Sequence, residues 1–336
     1  MTQVVNTSGS FSVLLLRYDK IGDLLISTPV LRALRERYPH ARIDVLAGKH
    51  NLAVARTLAG WNIGVVEYQK SLPGLIRLLI QRRGTYDVIV DMMDNASRTS
   101  SLLLRLLEPA STVGFANGRT HPITHAVELP RRSEVHIVDC MTELLRHFSI
   151  DPSQVSHRPS LPGIEALRGS AGADILVHIS AGKASLWWGQ EQFETLLRTL
   201  RTDYPGARIV LGSAPHERAI AESIAATTQV ELLPVASSFM EYAGHVQSAR
   251  LLITPDTSIV HVSSMFGTPS VVLYAQPHPD RLPWYPYHTP HRAIVATDPH
   301  GIESISAAQV ASALRSLREE TSTTSHRSKT TRAWPC

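Results

Sequence analysis

Cysteine is scarce in this chain: two among 336 residues, Cys140 and the terminal Cys336. Two thiols build no disulfide framework, which argues for a reducing compartment. Aromatic residues make up 6% of the sequence and charged residues 18%, against 43% hydrophobic, an ordinary composition for a soluble globular protein. No uninterrupted apolar run approaches the roughly 20 residues that cross a bilayer as a helix. Residues 1–12 lack both the basic start and the apolar stretch of a signal peptide, so a cytoplasmic protein is expected. Also missing are the Gly-x-Gly-x-x-Gly fingerprint of a dinucleotide dehydrogenase and the Gly-Lys-Ser/Thr of a P-loop. The pI of about 9.2 invites a nucleic-acid reading. The basic residues are dispersed, with no arginine-rich run and no interleaved aromatics, so no nucleic-acid partner is expected.

The charge is unevenly placed. Residues 1–160 hold 19 Lys and Arg against 14 Asp and Glu, a difference of +5. The remainder holds 14 against 15, or −1, which together give the net +4. Arg17, Lys20, Lys49, Arg82, Arg83, Arg98 and Arg119 fall near predicted loops of that first half. They suit an acidic substrate or an anionic membrane surface, or else a merely solvated basic face.

The most informative segment is Val13-Leu14-Leu15-Leu16-Arg17-Tyr18-Asp19-Lys20-Ile21-Gly22-Asp23. Unalternated apolar residues suit a parallel strand covered on both faces. A loop ending in Gly22-Asp23 and a helix are expected next, with Thr28 as a cap and Pro29 in the first turn. Val30, Leu31, Leu34 and Tyr38 then form one helical stripe. Asp23 would lie at the carboxyl edge of a sheet, where open α/β folds bind ligands.

The pattern recurs. Leu34-Arg35-Glu36-Arg37-Tyr38-Pro39-His40-Ala41-Arg42-Ile43 leads into an apolar strand closing on Gly48. Leu200-Arg201-Thr202-Asp203-Tyr204-Pro205-Gly206-Ala207-Arg208-Ile209 leads into one closing on Gly212. Two similar doubly wound domains follow, with the cleft between them as the default ligand site. The expected boundaries are 1–158 for the first domain, a Pro- and Ser-containing linker at 159–173, a second domain at 174–318 and a disordered tail at 319–336.

Asp91 and Asp94 close another apolar strand, Tyr86 to Val90. Acids there are read as loop formers rather than as metal ligands, although hard cations do take carboxylates. In the second half, Leu251 to Pro255 is a strand, and Asp256-Thr257-Ser258-Ile259-Val260-His261 opens a helix ending at Gly267. Free N–H groups at such a start make an anion site suited to a diphosphate. Thr257 and Ser258 could add hydroxyl donors, and His261 lies one turn on. The plainer alternative makes Thr257 or Asp256 an N-cap and His261 a satisfied polar residue. Ser180-Ala181-Gly182-Lys183 is a similar small-residue loop after the strand Ile175–Ile179, where Lys183 offers a mobile charge to a leaving group.

Ile21-Gly22-Asp23 with Thr28-Pro29, Val113-Gly114-Phe115, Pro255-Asp256-Thr257-Ser258 with His261, and Trp284-x-Pro286 together resemble glycosyltransferase family nine, the bacterial ADP-heptose:lipopolysaccharide heptosyltransferases. The likeness covers about residues 12–315. It implies the α/β GT-B architecture, two Rossmann-like doubly wound domains facing a central cleft, with acceptor in the first and nucleotide sugar in the second. It further implies inversion by single displacement without a metal or other cofactor. Asp23 matches the family's general base, and Asp256, Thr257, Ser258 and His261 match its donor motif. Ser180, Ala181, Gly182 and Lys183 are expected on the diphosphate, Glu217 on the nucleoside, and Lys20, Gly22, Asn95, Arg98 and Arg119 on an anionic glycolipid acceptor such as inner-core lipopolysaccharide. Contact with the cytoplasmic face of the inner membrane would accompany such an acceptor. Three positions depart from the family: Ser258 where glycine is commoner, Leu186 where many members carry the phosphate lysine two residues before Trp188, and Ala275-Gln276-Pro277 where many have Gly-Pro-Thr. The rivals are a transferase of the same fold with another sugar or acceptor, a nucleotide-sugar epimerase, and a non-catalytic sugar-nucleotide-binding module.

Overall fold

The computed structural model describes residues 11–95, 97–116, 122–128, 134–167, 172–276, 284–298 and 300–325. The chain divides into two compact units, Met1–Ile164 and Glu165–Cys336. The first runs β1 (Ser12–Leu16), α1 (Ile21–Arg37), β2 (Arg42–Ala47), α2 (Leu52–Ala55), β3 (Gly64–Glu67), α3 (Leu72–Arg82), β4 (Val88–Asp91), α4 (Arg98–Leu106), β5 (Ser111–Ala116), β6 (His125–Glu128) and α5 (Ile137–Thr142). The second runs β7 (Ile175–His178), α6 (Gln190–Asp203), β8 (Ile209–Gly212), α7 (Arg218–Thr228), β9 (Glu231–Leu232), α8 (Phe239–Ser248), β10 (Leu251–Pro255), α9 (Ser258–Phe266), β11 (Ser270–Tyr274), β12 (His291–Val295) and α10 (Ala307–Ser325).

Both sheets are six-stranded and parallel throughout, ordered β3-β2-β1-β4-β5-β6 and β12-β11-β10-β7-β8-β9. Counted from the start of each unit, both read third, second, first, fourth, fifth, sixth, the doubly wound α/β order. Its consequence is a switch point between the first and fourth strands, where successive connections leave on opposite faces and open a crevice. β1 meets β4 with Leu16 beside Asp91, and β7 meets β10 with Val177 beside Ile253.

The sequence repeat has a geometric counterpart. Tyr38 N–H donates to Leu34 O at 2.9 Å and Tyr204 N–H to Leu200 O at 2.9 Å. Ala41 and Ala207 then bond back to the two tyrosine carbonyls at 3.2 and 3.0 Å. Proline cannot continue either helix, so both chains turn at the same point into the second strand. The glycines closing these strands, Gly48 and Gly212, are fixed by close approach: a Cβ would collide with Tyr18 O at the first and with the Tyr242 hydroxyl at the second.

Burial follows strand alternation. Leu14 and Leu16 enter a cluster with Leu46, Val66, Ile89, Leu78, Leu103 and Leu104, while Val13 and Leu15, also fully buried, face the other side. In the second unit Trp188, Phe193, Leu197, Val310 and Leu314 cover Ile175, Val177 and Ile253. Trp188 Nε1–H donates to Ile305 O at 2.8 Å, which satisfies the one polar atom of a side chain that is otherwise core. No helix among the described residues is long and apolar enough to cross a membrane.

Two expectations need correction. The first helix does not begin at Thr28-Pro29: α1 starts at Ile21, with Pro29 inside it. A proline at position 29 removes the N–H that would reach Leu25 O, and the Thr28 hydroxyl supplies that carbonyl instead at 2.6 Å. Asp23 therefore sits within the first helical turn rather than in a loop. The tail is also ordered further than expected, with α10 running to Ser325. Thr321 and Thr323 hydroxyls bond back to the carbonyls of Leu317 and Glu319 at 3.0 and 2.8 Å, and Arg292 pairs with Glu320 at 2.7 Å. Residues 326–336 lie outside the described residues.

Candidate active site

In the first unit, β1 delivers Arg17 to Lys20, and α1 begins one residue later. Asp23 stands at the third helical position, partly exposed, and its Oδ2 accepts the Lys20 N–H at 3.1 Å. That bond uses a carboxylate to satisfy an orphan donor at a helix start. Lys20 and Gly22 flank it on the same edge. Asn95 and Arg98 come from the adjoining strand, Asn95 in the loop after β4 and Arg98 as the exposed first residue of α4. Asp91 at the end of β4 accepts the Met93 N–H at 3.1 Å, a loop-forming contact. Arg119 lies outside the described residues.

The second unit repeats the arrangement with different chemistry. Ser180, after β7, is buried, and its Oγ accepts the Ala214 N–H at 2.6 Å, so the loops after β7 and β8 are tied together. Beyond it Ala181 is half-buried and Gly182 and Lys183 are exposed. A Cβ on Gly182 would meet nothing within 4 Å, which leaves its backbone open to an approaching anion. From the neighbouring β10 comes α9, capped by Thr257, whose Oγ1 accepts the Ile259 N–H at 3.2 Å. Ser258 is the first helical residue. His261 is 3% exposed and its ring lies 5.9 Å from that of Trp284. It is thus a buried polar residue below the helix start, and Thr257 is the N-cap. Asp256 N–H bonds Leu273 O at 3.0 Å, and its charge adds to burial in raising the Tyr274 pKa well above the usual value. Glu217 follows β8; its Oε2 is buried without a hydrogen-bond partner among the described residues, with His216 Nε2 at 3.7 Å.

A family model, glycosyltransferase family 9 (heptosyltransferase), matches residues 76–306. The chain belongs to glycosyltransferase family 9. It is a glycosyltransferase, and family 9 membership assigns it to the heptosyl-transferring enzymes. Lipopolysaccharide heptosyltransferase 3 of Escherichia coli is 23% identical over 294 residues, 79% of this chain and 83% of the relative. The E. coli heptosyltransferase WaaC with ADP superposes with a TM-score of 0.70 at 18% identity, covering 91% of this chain and 99% of WaaC. WaaC with ADP-2-deoxy-2-fluoro heptose gives 0.70 over 92% and 99%, again at 18% identity. At such identity these structures speak for the fold. The matched stretch contains Ser180 to Lys183, Glu217 and Asp256 to His261; Asp23 lies upstream of it.

Three features of this family 9 enzyme are not visible in its motifs. Arg17 is buried, not a surface cation. Its Nε donates to Asp23 O at 2.7 Å and its Nη1 to Met92 O at 2.6 Å, while Nη2 has no partner among the described residues. It thereby joins the start of α1 to the end of β4 across the switch point. Asn51, fully buried, donates to Arg17 O at 2.7 Å and accepts the Gly48 N–H at 3.0 Å. Its only sequence signal is a polar residue after Gly48, which reads as a turn former. In the second unit His178 Nδ1 meets the Tyr242 hydroxyl at 2.5 Å beneath the Ser180 loop. Burial pushes the His178 pKa down to about 3 and the Tyr242 pKa up, so both are neutral hydrogen-bonding groups.

Proposed function

We propose that this glycosyltransferase moves a heptose from ADP-heptose to an inner-core lipopolysaccharide acceptor, with inversion, by a single displacement. The observation that carries the reading is the Asp23 carboxylate, held on the Lys20 N–H at the carboxyl edge of β1. Asp23 takes the proton of the acceptor hydroxyl, whose oxygen forms a bond to the anomeric carbon as the bond from that carbon to the diphosphate oxygen breaks. ADP leaves with the electron pair. Lys183 and the N-terminal N–H groups of α9 stabilise the negative charge that develops on the diphosphate. Ser180, Ala181 and Gly182 let the phosphates approach backbone, and Glu217 offers the ribose hydroxyls a carboxylate oxygen that has no hydrogen bond among the described residues. Support for the donor comes from WaaC, a relative in fold solved with ADP and with an ADP-heptose analogue. Support for the acceptor comes from the lipopolysaccharide heptosyltransferases similar in sequence and from the basic balance of the first half. Lys20, Gly22, Asn95 and Arg98 are the proposed acceptor contacts, on the cytoplasmic side of the inner membrane, and no metal takes part.

ADP release from ADP-heptose, with and without a Kdo-containing lipid A acceptor, tests the reading alongside Asp23→Asn. Acceptor-dependent release that collapses in the variant is the expected result. Release independent of acceptor would make the enzyme a hydrolase. Binding of ADP without release would redirect the search to other nucleotide sugars, for which the Ala275-Gln276 departure after β11 is the first place to look.

A further inference from the structure

α3 turns Leu78 into the core and packs Leu75 and Leu79 against it. Its opposite side carries Leu72, Ile76 and Ile80, one at every fourth position, and these are 71%, 49% and 81% exposed. With Pro73 and Arg77 they flank a shallow depression of about 390 Å³. Large aliphatic residues repeated along a solvent-facing helix mark an interaction surface. α4 lies on the same side of the sheet, since Leu103 and Leu104 enter the cluster that receives Leu78, and it exposes Leu102 to 44%.

Charge selects the partner. Neither α3 nor α4 contains an acidic residue. Arg77, Arg98 and Arg105 project from them exposed, and no carboxylate among the described residues pairs with any of the three. Two copies meeting through this surface would oppose like charges without compensation, whereas an anionic lipid surface supplies both the acyl boundary and the phosphates.

We propose that the outer faces of α3 and α4 seat this enzyme on an anionic membrane surface, with Leu72, Ile76 and Ile80 entering the acyl boundary and Arg77 and Arg105 meeting the headgroups. The purpose of that contact rests on the reading of the acceptor as a membrane-anchored glycolipid; its physics rests on the exposed faces alone.

Co-sedimentation of the full chain with vesicles tests it, comparing equal parts phosphatidylglycerol and phosphatidylcholine with phosphatidylcholine alone. Wild type is expected on the anionic vesicles and at least about tenfold more weakly on the neutral ones. Raised salt should weaken it further. Ile76→Asn/Ile80→Asn should abolish sedimentation, and Arg77→Gln/Arg105→Gln should weaken it by roughly fivefold per cation removed. Both variants should keep the wild-type melting temperature and the wild-type rate on a lipid-free Kdo oligosaccharide. Equal binding to neutral vesicles, or binding untouched by the isoleucine pair, overturns the proposal. So does a concentration-dependent dimer that the isoleucine pair dissolves, since the occupant would then be a second copy. A chain that binds vesicles but transfers no sugar leaves this surface standing and removes the proposed reaction; one that transfers sugar and ignores vesicles does the reverse.

Discussion

Arg17 Nε donates a 2.7 Å hydrogen bond to the carbonyl oxygen of Asp23, from a side chain only 1% exposed. The Ser27 hydroxyl reaches that same oxygen at 2.8 Å, so the peptide carrying the proposed base is held from two sides. A buried guanidinium is costly unless it does something that an apolar residue of its size cannot. Here it fixes the first turn of α1 against Met92 O, one residue past the end of the neighbouring strand β4. Arg17→Met would leave Met92 O short of a donor, at about 1–3 kcal/mol, and would leave Asp23 O only the Ser27 hydroxyl as a side-chain donor, while relieving a buried charge. The expected net loss of stability is therefore small, within about 2 kcal/mol, and the expected loss of transfer rate at least tenfold, because a misplaced base is a kinetic fault. Arg17→Lys should recover part of the rate. Thermal melts beside ADP-release kinetics separate the two effects, and a wild-type rate in Arg17→Met would remove Arg17 from the positioning role.

Glu217 presents the opposite case, a carboxylate oxygen buried with no hydrogen bond among the described residues. A ribose diol would supply the missing donors. Hydrogen bonds to a charged group contribute about 1.5–3 kcal/mol, so Glu217→Gln should weaken ADP binding by roughly one to two orders of magnitude. The melting temperature of the free protein should hold or rise, since a buried charge has been removed. Titration calorimetry with ADP reads the affinity directly; unchanged affinity would place the nucleoside elsewhere.

Lys183 and Leu186 can be set against each other. Lys183 is exposed and precedes a short 3₁₀ turn, Ala184–Leu186, while Leu186 packs partly against the Trp188 cluster. Lys183→Ala should slow ADP release by about a hundredfold through loss of charge stabilisation at the leaving group. Adding Leu186→Lys, which restores the lysine spacing common in the family, should return part of that rate at some cost in stability. A Lys183→Ala enzyme as fast as wild type would show that another group carries the phosphate.

Much of the fold was legible in the sequence because it is built from local signals used twice. Unalternated apolar strands announced a parallel sheet, and the Tyr38-Pro39 and Tyr204-Pro205 stops marked the same turn in each unit. Thr257 was readable as a cap and Gly267 as a helix end, because both act within one turn of chain. What escaped was set by contacts distant in sequence. The expected cap of α1, Thr28, lies eight residues past the observed one, Lys20, because Pro29 looks like a first-turn proline, and only the Thr28 to Leu25 bond shows how the helix carries it. Arg17 read as one basic residue among many, since its partner Met92 lies 75 positions away. The His178–Tyr242 pair spans 64 positions and has no motif.

That pair yields a prediction in pH. Burial holds the His178 pKa at about 3, below the unfolded value of about 6.5. Below pH 6.5 the unfolded chain takes up a proton that the folded chain refuses, so this residue's contribution is intact above pH 6.5 and is lost as the pH falls toward 3. The slope is about 1.4 kcal/mol per pH unit, or roughly 2–3 kcal/mol between neutrality and pH 4.5. His178→Gln keeps a hydrogen-bonding group beside Tyr242 and removes the titration. Urea unfolding of both proteins at pH 7.5 and 4.5 should show wild type losing more stability than the variant by that amount, with every other titrating group common to the two. Equal losses would mean that the imidazole is protonated in the fold, and the Tyr242 hydroxyl would then have to be its acceptor.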